Sequence, residues 1–232
     1  MDSTPDDLEE GHFHLAYPFG HHMVLQREPR EAVIWGWCHP KDMECEVIVS
    51  LEGQILEAVR SEVPQTVGKF QQIRWEARLL PQPASGPFSI SFQSGRGSFV
   101  LHDVYFGEVF ACTGQSNMAF SIPQTFVERE EEEEEEGNTY SFPYIRVMSV
   151  GQKSSETLLA DWDSPPKLPW SVASREVLHR GARGDLWDPF SAVCWYYGKE
   201  LFEQLQIPIG LVEMTVGGSR LQVSNQDPRH FS

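Results

Sequence analysis

The chain is poor in positive charge. Its 18 lysines and arginines face 34 aspartates and glutamates, for a formal charge of −16. That balance argues against nucleic acid and anionic membrane as partners, because both would repel it. No stretch approaches the roughly 20 apolar residues that a membrane-crossing helix needs, so no membrane anchor is expected. The first ten residues, Met1 to Glu10, are acidic where a secretory leader would be basic and then apolar, and the chain as given reads as cytosolic. No CxxC spacing links Cys38, Cys45, Cys112 and Cys194, and no Asn-x-Ser/Thr acceptor occurs. Reduced, buried thiols follow from that pattern, with no metal and no cofactor expected.

What is present is enough apolar content, 40% of 232 residues, to bury a sizeable core. Residues 1–16 form a polar lead-in. His12, His14, His21 and His22 cluster there and just beyond, but without a Cys or carboxylate at ligand spacing they read as exposed or singly hydrogen-bonded side chains. From Met23 to Val104, β-type runs alternate with turn residues. Examples are Ala32-Val-Ile-Trp-Gly-Trp37, Ile73 to Leu79 and Phe88 to Gln93, punctuated by Glu28-Pro29, Glu52-Gly53 and Pro81-Gln-Pro83. Such spacing predicts an antiparallel β-sandwich or small barrel over residues 17–103.

Residues 104–218 read differently. Val109-Phe-Ala-Cys112 has the content of a strand buried on both faces, and Thr113-Gly114 breaks it, which presents Ser116 in a small-residue turn. Met118 to Arg129 is a candidate helix limited by Pro123. The seven-glutamate run Glu130 to Glu136 is a solvated insertion, since like charges at i, i+4 repel. Tyr144 to Val150 is a further strand, and residues 151–190 read as a long surface connection in which Trp162, Trp170 and Trp187 line a pocket or pin the loop to the body. Ser191 to Gln206 is helical, with Val193, Tyr196 or Tyr197, Leu201 and Leu205 along one side and Gly198 as a close-approach position. Ile209 to Val216 is a buried-type strand ending in Gly217-Gly218. Strand, helix and strand in this order predict a right-handed crossover and a mostly parallel sheet, with Ser116 and the two glycines on its ligand-binding edge.

These residues resemble a known family. Gly114-Gln-Ser-Asn-Met118, preceded by Phe106-Gly-Glu-Val-Phe110, is similar to the nucleophile block of the sialate O-acetylesterases, a branch of the SGNH hydrolases. Met23 to Pro29, Ala32 to Gly36, Val100 to Val104, Tyr144 to Val147, Phe190 to Trp195 and Ile207 to Leu211 resemble the same family in the same order, over roughly its N-terminal half. The resemblance implies a β module followed by an incomplete SGNH-type α/β domain. It also implies hydrolysis of O-acetyl esters of sialic acids by a carboxylic ester hydrolase. Ser116 matches the nucleophile, and its own N–H plus one from the pair Gly217 and Gly218 matches two of the family's three oxyanion donors.

A serine hydroxyl needs a base, and a tetrahedral oxyanion needs fixed N–H donors. In the family a Gln-Gly-Glu-x-Asn block supplies a third donor and an Asp-x-x-His-Pro block supplies acid and base. Neither block occurs in these 232 residues. The tail at 219–232 departs from the family's continuation but contains Asp227-Pro-Arg-His230, whose Asp-x-x-His spacing makes Asp227 and His230 the candidate acid and base. Twelve extended residues past Gly218 reach up to roughly 40 Å, so distance does not exclude them. His102-Asp103 precedes the strand that Ser116 follows and is read as structural, and His179 has no placement. The alternative to a hydrolase is a catalytically silent relative that serves as a sugar-binding or interaction protein.

Overall fold

A computed structural model describes residues 13–38, 46–60, 63–67, 70–95, 97–125, 141–151, 155, 159–162, 164–180 and 189–218. Thirteen strands and two helices appear among them. The β module contributes β1 (His14–Leu15), β2 (Val24–Gln26), β3 (Ala32–Cys38), β4 (Ile48–Leu51), β5 (Gln54–Glu57), β6 (Val59–Arg60), β7 (Gln65–Val67), β8 (Phe70–Leu79) and β9 (Ser85–Ser94). Strand β10 (Gly97–Gly114) then runs 18 residues into the second part, which adds β11 (Ser141–Ser149), β12 (Leu168–Ser174), α1 (Arg175–Arg180), α2 (Ala192–Leu205) and β13 (Ile209–Thr215).

Two sheets follow from the pairing. A five-stranded sheet holds β1, β3, β8 and β6, with β7 on β8. An eight-stranded sheet has the order β12-β11-β13-β10-β9-β4-β5, with β2 also on β10. Alternation along the strands turns one face of each inward: Ile34, Trp75, Ala77 and Leu79 from the first meet Val49, Leu51, Ile90, Phe92 and Phe106 from the second. The module is therefore a sandwich rather than a barrel. A second core lies between the far part of the larger sheet and the helices, built from Cys112, Ile145, Val147, Leu178, Phe190, Trp195, Ile209 and Leu211.

The larger sheet is mixed. β10, β13 and β11 are mutually parallel, while β12 joins β11 and β9 joins β10 in antiparallel fashion. The boundary expected at residues 103/104 falls within β10, where the pairing shifts register between Leu101 and Val104 and Asp103 adopts φ 58. β10 is thus shared by the sandwich and the parallel layer.

Four sequence expectations change here. The segment 151–190 is not irregular throughout, because β12 pairs with β11 and α1 follows it directly. The helix expected from Met118 is instead a turn and one 3-10 turn, Ile122–Gln124. Pro123 and a capping box between Ser121 and Gln124 fix that turn, and the residues past Thr125 lie outside the described ones. Val109 and Phe110 are only half-buried and Ala111 is exposed, because along Glu108–Gly114 only β13 pairs with β10 among the described residues. The cysteines are not reduced: Cys112 and Cys194 form a disulfide, and Cys38 is disulfide-bonded as well. Connectivity across 82 residues is invisible in spacing, since only the parallel layering brings β10 against α2.

Candidate active site

β10 and β13 pair in parallel register from Glu108↔Ile209 to Gly114↔Thr215. Ser116 and Gly217 each stand two residues beyond that last rung, on one carboxyl edge. The backbone N–H of Val216 donates to the Gly114 carbonyl at 3.1 Å and closes the ladder. At Gly114 the chain folds back sharply with φ +155, and a Cβ there would sit 2.8 Å from that of Met118, so glycine is required. The turn is closed by the N–H groups of Met118 and Ala119, which donate to the Gln115 carbonyl at 2.8 and 3.0 Å. Ser116 is exposed at its tip, and its Oγ donates to Gln115 Oε1 at 3.3 Å. Gly217 and Gly218 are exposed too, Gly218 with φ +74, and no atom within 4 Å crowds either.

The turn is braced from behind. Ser191, fully buried, caps α2: its Oγ accepts from the Cys194 N–H at 3.2 Å and donates to the Met118 carbonyl at 2.6 Å. Ala192 N–H donates to the Phe120 carbonyl at 2.8 Å, and Ile122 N–H to the Phe190 carbonyl at 3.2 Å. The Cys112–Cys194 disulfide joins the strand that leads into the serine turn to the first turn of the same helix. Gly198 lets the helix close on β13, since a Cβ there would collide with Leu211.

Glu213 was not foreseen. It lies on β13 between Cys112 of β10 and Ser149 of β11, and its side chain shares the helix-facing side with Ile209 and Leu211. It is 6% exposed, its Oε1 accepts from Thr215 Oγ1 at 3.0 Å, and its Oε2 has no hydrogen-bond partner among the described residues. Burial pushes its carboxyl above the ordinary range, and the Thr215 hydroxyl, the Lys167 charge and Ser149 only partly offset this. One acidic residue inside an apolar strand was the available signal.

The other singled-out residues lie elsewhere or beyond view. Asp227 and His230, the acidic run at 130–136, His12 and Trp187 fall outside the described residues. No histidine among the described residues is hydrogen-bonded to Ser116. Asp103 lies toward the other end of β10, where its carboxylate binds Arg146 Nη1 and Nη2 at 2.6 and 3.3 Å and His22 Nδ1 at 2.7 Å, a structural junction as read from sequence. His21 stacks on His102, and both are exposed. His179 lies on α1. Trp170 is buried and donates its Nε1–H to the Pro18 carbonyl at 2.8 Å, and Trp162 packs against the sandwich core, so both pin the loop to the body.

No family model matches this chain. The sialate O-acetylesterase of Mus musculus is 36% identical over 216 residues, which is 91% of this chain and 37% of that protein. The human sialate O-acetylesterase is 35% identical over 215 residues, 90% of this chain and 38% of that protein. The chain belongs to the sialate O-acetylesterase family. It spans little more than a third of the length of those relatives. A carbohydrate acetylesterase from Xanthomonas citri shares the fold, with a TM-score of 0.68 at 24% identity over 91% of this chain and 42% of that one.

Proposed function

We propose that this chain carries the nucleophile half of a serine esterase that removes O-acetyl groups from sialic acids. One observation carries the reading: Ser116 and Gly217 stand the same two residues past a shared rung of parallel strands, with Ser116 exposed in a braced turn. In this reading Ser116 Oγ gives up its proton to a base and attacks the acetyl carbonyl. The N–H groups of Ser116, Gly217 and Gly218 receive the developing oxyanion. Collapse expels the sugar hydroxyl, which takes the proton back from the base, and water then releases acetate from the acyl-serine. The base is His230, oriented by Asp227, or a histidine brought by polypeptide that completes the sheet.

A serine-directed fluorophosphonate tests this. Labelling at Ser116, abolished in Ser116→Ala, is the expected result, and a folded sample that takes no label sinks the reading. With His230 as base, His230→Ala slows labelling by about 10²- to 10⁴-fold; an unchanged rate removes His230 from the site. Because no histidine among the described residues bonds Ser116, a second reading is a silent relative that binds O-acetylated sialoglycans. Acetyl-ester turnover near that of the mouse relative would refute it.

A further inference from the structure

The turn that carries Ser116 is held at both ends. At its start, Gly114 is in register with Thr215, and its carbonyl accepts from the Val216 N–H at 3.1 Å. At its end, the Met118 carbonyl accepts from Ser191 Oγ at 2.6 Å. Glu213 reaches both grips. Its Oε1 accepts from Thr215 Oγ1 at 3.0 Å, and the Ser191 N–H, at the start of α2, lies close enough to favour its ionised form.

Packing alone does not call for a carboxyl at this position. The side chain is 6% exposed, beside Cys112 in the sheet and on the helix-facing side with Ile209 and Leu211, and its Oε2 has no hydrogen-bond partner among the described residues. A buried carboxyl with one oxygen unpartnered costs stability, and at the edge of a candidate site it points to function rather than packing. β11 brings the Ser149 hydroxyl to it and β13 the Thr215 hydroxyl, while Lys167, just ahead of β12, supplies the positive charge that reaches it. From β10 and α2 come Cys112 and Cys194, whose disulfide does not titrate.

We infer that Glu213 is a positioning residue for the Ser116 site, acting through Thr215 on the Gly114 end of the turn and through Ser191 on its Met118 end. The inference rests on the esterase reading for what the turn does, and on these contacts for the coupling. Protonated, Glu213 accepts the Thr215 hydroxyl at Oε1 and holds a hydrogen at Oε2 for the Ser149 oxygen. Ionised, it has no donor at Oε2 and draws the Ser191 N–H and the Lys167 ammonium toward it, which slackens the grip of Ser191 on Met118. Burial keeps the proton on Glu213 above the ordinary carboxylate range, so the turn is set on the acid side and loosens as pH rises.

Fluorophosphonate labelling of Ser116 against pH, in the parent, Glu213→Gln and Glu213→Ala, tests this. Gln keeps the acceptor and donor of the neutral acid, so the parent rate divided by the Glu213→Gln rate is expected to fall roughly fivefold between about pH 5 and about pH 8. That ratio cancels the titration of the base and of the reagent, which the proteins share. Ala gives Thr215 no acceptor and labels roughly tenfold more slowly than Gln at both ends of the range. A ratio independent of pH, with labelling intact, overturns the inference and leaves the esterase reading standing. Absence of labelling in all three proteins sinks the esterase reading instead, and amide NMR of the same proteins then decides the coupling. In the parent, the Thr215, Ser191 and Met118 signals move together with pH about a midpoint above 4.5, and in Glu213→Gln they stay fixed. Movement confined to Thr215 overturns the coupling.

Discussion

Glu213 and Ser191 show how single side chains govern the edge that holds Ser116. Burial raises the Glu213 carboxyl, so the folded state holds its proton more tightly than the unfolded chain does. Its unfavourable contribution is absent below the ordinary value of 4.5, grows as pH rises through it, and is complete above the folded value. Glu213→Gln keeps an acceptor for Thr215 and removes the charge. It should stabilise the fold by about 1–3 kcal/mol at pH 7 to 8, with the gain vanishing below pH 4.5 in thermal melts across pH. Ser191→Ala removes both the helix cap and the donor to the Met118 carbonyl. A loss of about 1–2 kcal/mol is expected in urea titrations, with Ser116 labelling slowed more than global stability explains.

Among the elements, the disulfide that fastens β10 to α2 is the main covalent brace. Closing a separation of 82 residues restricts the unfolded chain by roughly 4 kcal/mol on the loop-entropy account. Cys112→Ala with Cys194→Ala should lower stability by about 2–4 kcal/mol, read by denaturant unfolding, and a mild reductant should shift the parent protein toward the double variant. An unchanged midpoint under reductant would show that the brace contributes nothing.

Across the whole molecule, the sandwich and the parallel layer are joined at Asp103. Arg146, with 3% of its side chain exposed, reaches from β11 to Asp103 on β10, where His22 also binds, and its guanidinium lies 4.8 Å from the Tyr105 ring centroid. Burial would raise the Asp103 carboxyl, but the hydrogen bonds and charges of Arg146 and His22 outweigh it and hold it below 3.8. A lowered carboxylate contributes stability above the unfolded value and loses it as pH falls through the folded one. Asp103→Asn leaves a buried guanidinium poorly paired and should cost about 3 kcal/mol at pH 7, with a smaller difference below pH 3.8, measured by chemical denaturation.

Local patterning determined much of this protein. Alternation in Ala32 to Trp37, Ile73 to Leu79 and Phe88 to Gln93 marked sandwich strands because one face of each meets a core. The helix after Ser191, the close approach at Gly198 and the serine turn after Gly114 were legible because caps, glycines and small-residue breaks act within a few residues. Only the tertiary structure decided the rest. Which face of α2 is buried, that Cys112 meets Cys194, that Asp103 binds Arg146 and that Glu213 lies between Cys112 and Ser149 all depend on strands distant in sequence being neighbours in the sheet. The half-burial of Val109 and Phe110 and the exposure of Ala111 have the same origin. Their composition is that of a strand covered on both faces, and only the strand order shows the side on which cover is missing.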